Sequence, residues 1–199
     1  MNVVIIKYNA GNIRSVYHAL SRLGIEAEIT ADPDKIKAAD KVIFPGVGEA
    51  STTMAYLQKN GLDQLIKGLK QPVLGICLGM QLMCSHSEEN DVDCLGIFDN
   101  KVKLFRPEPG MENVTKVPHM GWNNLSIPEK SFIPKEIDGE YVYFVHSYYA
   151  ELSAETAAST DYIVPFSSAL QKDNFYATQF HPEKSGSVGE KILNAFLEL

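Results

Sequence analysis

Pro72-Val73-Leu74-Gly75-Ile76-Cys77-Leu78-Gly79-Met80-Gln81 is the stretch that decides the fold. Val73 to Ile76 is an uncharged run that predicts a buried strand; Met80, Gln81, Leu82 and Met83 predict the start of a helix. A strand that turns this sharply into a helix needs small neighbours at the turn, supplied here by Gly75 and Gly79. It presents the residue between them at the strand's carboxyl end. The helix also points free N–H groups and the positive end of its dipole at the sulfur, favouring the anion. Cys77 therefore occupies the position of a nucleophile on a strand-to-helix elbow.

Gln179-Phe180-His181-Pro182-Glu183 supplies the second half of the pattern. Asn174 to Phe180 is rich in aromatic and β-branched residues and predicts a strand, with His181 at its end. Pro182 fixes the backbone there, and Glu183 can fold back toward the imidazole. Thiol-based acyl transfer needs a base to hold the thiol proton and return it to the leaving group, and gains from a carboxylate that orients the base. Cys77, His181 and Glu183 fill those three roles. A buried cysteine is commonly a small core residue, and a histidine at a strand end is commonly structural. Both at strand ends, each in a tight turn, favour chemistry over packing.

The first 85 residues alternate strand and helix. Val3–Ile6 is a continuous apolar run, as a strand covered on both faces requires. Ile13, Val16, Tyr17, Leu20 and Leu23 recur at helical spacing before Gly24. Strands are expected over Ile25–Ile29 and Val42–Phe44, and helices over Ala50–Lys59 and Leu62–Leu69. Repeated β-α-β units imply an α/β fold: an open, mainly parallel sheet with helices on both faces. From about Leu95 the texture changes to a β-rich C-terminal half. Short strands are expected at Val102–Phe105, Val114–Val117, Tyr141–Val145 and Tyr149–Leu152. Val188, Ile192, Leu193, Phe196 and Leu197 share one face of a last helix. The 199 residues are read as a single domain.

Phe44-Pro45-Gly46-Val47-Gly48 ends the third expected strand at the same sheet edge, where open α/β sheets gather their chemistry. The Val47 and Leu78 N–H groups are the expected oxyanion hole; one such donor is worth about 2.7–4 kcal/mol in the transition state. The flanking glycines leave the Val47 peptide free to turn when a partner or ligand binds.

A net charge of −7 argues against non-specific binding to nucleic acid or to an acidic membrane surface. The three cysteines are odd in number and not at zinc-ligand spacing, which suits a reducing cytoplasm; Cys84 is expected to pack rather than react. Val3–Ile6 is too short for a signal peptide or a membrane span. With no phosphate loop, metal cluster or dinucleotide fingerprint in the sequence, no cofactor and no metal are implied.

The elbow, the Phe44–Gly48 turn and His181-Pro182-Glu183-Lys184-Ser185 together resemble the class I (triad) glutamine amidotransferases. Tyr8-Asn9-Ala10-Gly11-Asn12 with Arg14-Ser15-Val16, Lys116-Val117-Pro118-His119-Met120-Gly121-Trp122-Asn123 and Tyr143-Phe144-Val145-His146-Ser147-Tyr148 narrow the likeness. They resemble the glutaminase subunits of imidazole glycerol phosphate synthases, over the whole chain. Lys7 and Asn9 depart from that pattern, which has Asp and Gly there. The resemblance implies glutamine hydrolysis and transfer of the ammonia to a (β/α)8 cyclase subunit in a heterodimer of histidine biosynthesis. It places Gly46, Gln81, Glu89, Ser147 and Tyr148 around the glutamine, and Asn12, Met120, Trp122, Tyr143 and Lys184 against the partner, at an interface of roughly 1,200–2,000 Å² or more. Without the resemblance, Gln81 would read as a helix-surface residue and Glu89 as a solvated charge. Alternatives are the glutaminase of an anthranilate, aminodeoxychorismate or pyridoxal phosphate synthase, a peptidase or γ-glutamyl hydrolase on the same frame, and a non-catalytic binding module. His119 and His146 are explained by structural hydrogen bonds at least as well as by chemistry.

Overall fold

The computed structural model of the chain describes residues 1–8, 12–110 and 115–199. Thirteen strands are found among them: β1 (Val3–Ile6), β2 (Glu28–Thr30), β3 (Lys41–Gly46), β4 (Val73–Cys77), β5 (His86–Ser87), β6 (Val92–Asp93), β7 (Lys101–Leu104), β8 (His119–Asn124), β9 (Tyr141–His146), β10 (Tyr148–Ala150), β11 (Thr156–Asp161), β12 (Pro165–Lys172) and β13 (Phe175–Thr178). The helices are α1 (Ile13–Arg22), α2 (Pro33–Ala38), α3 (Ala50–Lys59), α4 (Leu62–Gly68), α5 (Leu78–Met83) and α6 (Gly186–Leu197).

Eleven strands form one sheet in the order β2-β1-β3-β4-β13-β12-β10-β7-β5-β6, with β11 on β12. The run from β2 to β13 is parallel, and the sheet turns antiparallel at β12. β8 and β9 make a separate antiparallel ribbon. The sheet is therefore mixed, parallel where the βαβ units build it and mostly antiparallel beyond.

Helices cover both faces, and β1 shows why its sequence is apolar throughout. Val3 and Ile5 face a core shared with Val16 and Leu20 of α1 and Ile192, Leu193 and Phe196 of α6. Val4 and Ile6 face the opposite core, built with Ile36, Leu57, Ile66 and Leu82 from the other helices. Each fully buried aliphatic or aromatic side chain of this kind contributes about 1.5–3 kcal/mol.

Several expected boundaries shift. The second strand begins at Glu28, not Ile25. Val114 lies outside the described residues, and 115–117 form no strand; Val117 instead packs against the core. The α2 helix was not expected, although Asp32-Pro33 announces it. Asp32 Oδ1 accepts the Asp34 N–H at 2.9 Å, and proline occupies the first turn, where its missing donor is harmless.

Candidate active site

The edge formed by the carboxyl ends of β3, β4 and β13 holds the residues singled out above. Cys77 ends β4 with φ 54° and ψ −108°, a strained conformation for a residue with a β-carbon. The strand register sets Gly46 of β3 opposite Cys77. On the other side Thr178 of β13 pairs with Ile76, so that Gln179 to His181 emerge beside the sulfur.

The glycines of the elbow serve close approach. A methyl at Gly79 would collide with the Phe44 carbonyl oxygen, and one at Gly75 would lie 2.8 Å from Met83 Sδ. A methyl at Gly46 would lie 2.6 Å from Tyr8 Oη and 2.9 Å from the Gly79 nitrogen. The three glycines thus let the β4–α5 turn seat against the end of β3. Tyr8 Oη donates to the Pro45 carbonyl at 2.5 Å and pins the start of the Gly46–Gly48 turn. Gly48 is different: it has φ +118°, and a methyl there would meet nothing within 4 Å among the described residues, so conformation is what demands glycine there.

His181 is 1% exposed, and its Nδ1 lies 2.8 Å from Glu183 Oε1. Nε2, the other ring nitrogen, has no hydrogen-bond partner among the described residues. Burial disfavours the imidazolium, but the nearby Cys77 and the hydrogen-bonded Glu183 outweigh it and raise the pKa to about 10. The sulfur receives a hydrogen bond from Gln179 Nε2 at 3.7 Å. Ser185 Oγ donates to the His181 carbonyl at 2.7 Å and accepts the Tyr143 N–H at 3.0 Å. The His181 N–H bonds the Tyr143 carbonyl at 2.9 Å. These three bonds tie the imidazole's backbone to β9.

A cavity of about 350 Å³ opens over the sulfur, a volume suited to a single amino acid. Its wall includes Val47, Leu78, Gln81, Glu89, Ser147 and Tyr148. Gly46 does not line it; its α-carbon is packed beneath Tyr8 and Leu78. Gln81 is 5% exposed, not a helix-surface residue; its Nε2 donates to the Tyr148 carbonyl (3.0 Å) and to Gln179 Oε1 (2.9 Å). Glu89 is not a freely solvated charge either: its Oε2 accepts the Ala50 N–H at 2.7 Å, and partial burial raises its pKa.

Met120 (63% exposed) and Trp122 (56%) stand out from β8, which excludes core packing for both. Trp122 meets the Tyr143 ring edge-on at 6.0 Å, and Lys184 Nζ lies 5.8 Å from the centre of the same ring. Asn12 is half-buried, and its Nδ2 donates to Glu183 Oε1 at 2.6 Å, so its amide supports the carboxylate. Lys7 is exposed, while Asn9, Ala10 and Gly11 of the first-loop motif lie outside the described residues. Cys84 is fully buried at the end of α5, where desolvation pushes its thiol well up. His86 lies on β5 against Asp91 and Asp93.

Sequence reasoning gave no role to Gln179, although it stands two residues before the histidine; the link that reveals it is the contact across β4 and β13. The bond from Asn12 to Glu183 was equally hidden, because it joins residues 171 apart.

A cysteine on a strained elbow, a carboxylate-held imidazole and a cavity sized for an amino acid, all at a parallel sheet edge, define a thiol-dependent acyl-transfer site. The chain belongs to the glutamine amidotransferase class-I family, which matches residues 4–199. It is 65% identical over 199 residues to imidazole glycerol phosphate synthase subunit HisH of Bacteroides fragilis (strain YCH46), covering 100% of both chains. To the protein of the same name from Escherichia coli (strain K12) it is 46% identical over 202 residues, covering 100% of both. Among solved structures, a glutamine amidotransferase superposes with TM-score 0.74 at 19% identity, covering 99% of this chain and 98% of the other. PurLQS from Thermotoga maritima gives 0.70 at 16%, covering 99% of this chain and 97% of the other. These two show the shared fold.

Proposed function

We propose that the chain is the glutaminase subunit of an imidazole glycerol phosphate synthase, acting in histidine biosynthesis. It hydrolyses glutamine to glutamate and ammonia and hands the ammonia to a (β/α)8 cyclase subunit. The observation that carries the chemistry is that Cys77, at φ 54°, lines one cavity with His181, an imidazole whose Nδ1 is held by Glu183 and whose Nε2 has no hydrogen-bond partner among the described residues.

In this reading the Cys77 thiolate attacks the side-chain amide carbon of glutamine, and the carbonyl oxygen gathers negative charge. The Leu78 and Val47 N–H groups receive that charge. The tetrahedral centre collapses by breaking the C–N bond while His181 Nε2–H protonates the departing nitrogen, giving ammonia and a γ-glutamyl thioester. The neutral imidazole then takes a proton from water, the hydroxide adds to the thioester, and glutamate leaves as the thiolate and imidazolium are restored. Glu183 keeps the ring oriented, and Asn12 holds Glu183. Glu89 offers the cavity a negative charge for an α-ammonium group, and Ser147 and Tyr148 offer backbone to the rest.

Docking of the cyclase on the β8–β9 ribbon is supported by its exposed Met120 and Trp122 and by Tyr143 and Lys184 beside them. Aromatic and Met side chains are enriched at such interfaces. The free cysteines fit a cytoplasmic enzyme, and among the described residues no helix is long and apolar enough to cross a membrane.

Co-purification with a cyclase subunit, followed by glutamine-dependent ammonia transfer, tests the reading. The complex should turn glutamine over far faster than the isolated chain, and Cys77→Ala should abolish both turnover and labelling by a glutamine-analogue chloroketone. Full activity of the isolated chain would remove the coupling; activity surviving in Cys77→Ala would remove the nucleophile.

A further inference from the structure

Two buried histidines take no part in the chemistry above. His119 opens β8 and His146 closes β9, directly opposite in the register, and they are 4% and 6% exposed. His146 Nδ1 lies 2.7 Å from the Tyr148 carbonyl oxygen; a carbonyl can only accept, so Nδ1 carries the proton. The ring is neutral, its pKa pushed down to about 3 chiefly by burial, which leaves Nε2 as an acceptor. His119 Nδ1, 3.0 Å from that Nε2, must therefore donate. Burial also keeps His119 neutral, at about 4, so its Nε2 accepts from Asn123 Nδ2 at 3.4 Å. The Asn123 amide is oriented independently: Nδ2 donates to the Asp161 carbonyl and Oδ1 accepts the Asn124 N–H, each at 2.9 Å.

Donation thus runs one way, from Asn123 on the exposed ribbon through both imidazoles to the Tyr148 carbonyl. That oxygen also receives Gln81 Nε2, which bonds Gln179 Oε1, and Gln179 Nε2 bonds the Cys77 sulfur. Stacking of His119 on Tyr162 (4.0 Å between ring centres) and Phe144 (4.8 Å) holds its ring in plane. Ser147 is the single residue joining β9, in the two-stranded ribbon, to β10, in the main sheet. Two phenylalanines could fill the imidazole positions without burying four ring nitrogens, whose satisfaction demands exact partners.

We propose that His119 and His146, both in the Nδ1–H tautomer, are positioning residues for glutamine: they lock the Tyr148 carbonyl and with it the Ser147–Tyr148 wall of the cavity. The proposal rests on the reading of that cavity as the glutamine site. His119 is the residue to test, because it lines neither the cavity nor the exposed face.

Imidazole ¹⁵N spectra of the wild-type chain at pH 7 should show both rings neutral with the proton on Nδ1. An Nε2–H tautomer or an imidazolium at either position overturns the relay, and no variant is needed. In the complex with the cyclase, His119→Phe keeps a stacked ring but has no donor; KM for glutamine should rise about tenfold with kcat within about threefold. His119→Asn restores an amide N–H near the Nδ1 position and should bring KM back to within about threefold of wild type. An unchanged KM in His119→Phe, or equal losses in both variants, overturns the positioning role. A wild-type complex that does not turn over glutamine would instead sink the functional reading, leaving the tautomer measurement to decide the relay.

Discussion

Replacing Gly79 by alanine probes the mesh that shapes the elbow, and the structure sets two effects against each other. Gly79 is the second residue of α5, and helix propensity alone favours alanine by up to about 1 kcal/mol. The added methyl, however, would collide with the Phe44 carbonyl oxygen. Phe44 lies in β3, held between β1 and β4, so its backbone cannot withdraw without breaking ladder hydrogen bonds. Overpacking that side chains can absorb costs about 1–3 kcal/mol; against backbone the upper end applies, leaving a net loss of about 2 kcal/mol after the helix gain. Relief would come by moving α5 and the sulfur two residues before it, and a displacement of about 1 Å can lower the rate about 100-fold. Gly68→Ala is the control: near the end of α4, its methyl would meet nothing within 4 Å among the described residues, so stability should rise by up to about 1 kcal/mol. Denaturant titration reads stability, and glutamine turnover by the cyclase complex reads kcat. If Gly79→Ala matched Gly68→Ala in stability and kept its kcat, the mesh would not be what positions Cys77.

Three further outcomes are expected. Stability should fall as pH drops from about 6.5 toward 4, by up to about 1.4 kcal/mol per pH unit for each of His119 and His146, because both are held neutral in the fold and take up protons on unfolding. His181 has the opposite sign: raised to about 10, it contributes stability below pH 6.5 that is lost as pH rises toward 10. Urea titrations from pH 4.5 to 10 check both limbs, and a profile flat throughout contradicts both. Asn12→Ala removes one of the two donors to Glu183 Oε1, a charge-assisted bond worth about 1.5–3 kcal/mol; kcat should drop about tenfold or more, and an unchanged kcat would make the contact incidental. Trp122→Ala should weaken cyclase binding by about 2 kcal/mol or more while changing folding stability by less than about 0.5 kcal/mol; calorimetric titration separates the two, and undiminished affinity would move the docking surface elsewhere.

The parallel half of the sheet was legible because its strands are apolar on both faces and its helices carry one apolar stripe, as in Val3–Ile6 and Ile13–Leu23. The elbow was legible because three constraints fall within five residues. Strand β12 was not, because its buried stretch includes Ser167 and Ser168, and buried serines leave no hydrophobic signature; the Ser167 hydroxyl is met by Thr156 Oγ1 and the Glu151 carbonyl, each at 2.7 Å. Strand β8 inverts the usual pattern, burying His119 and exposing Met120 and Trp122. The positions of Cys77, His181 and Glu183 in their turns could be read locally. The partners that complete the site could not. Gln179 reaches the sulfur, Asn12 reaches Glu183 and His119 reaches His146 only after distant segments meet, and no periodicity encodes such meetings.

Tyr143 belongs to two structures at once. Its ring meets Trp122 and Lys184 on the outside, while its backbone bonds His181 and Ser185 on the inside. With the cyclase docked on this ribbon as proposed, retargeting it toward a different synthase cannot be a purely superficial redesign. Any graft that bends the strand by a fraction of an ångström retunes the base as well, so altered partner choice and altered turnover should be inherited together.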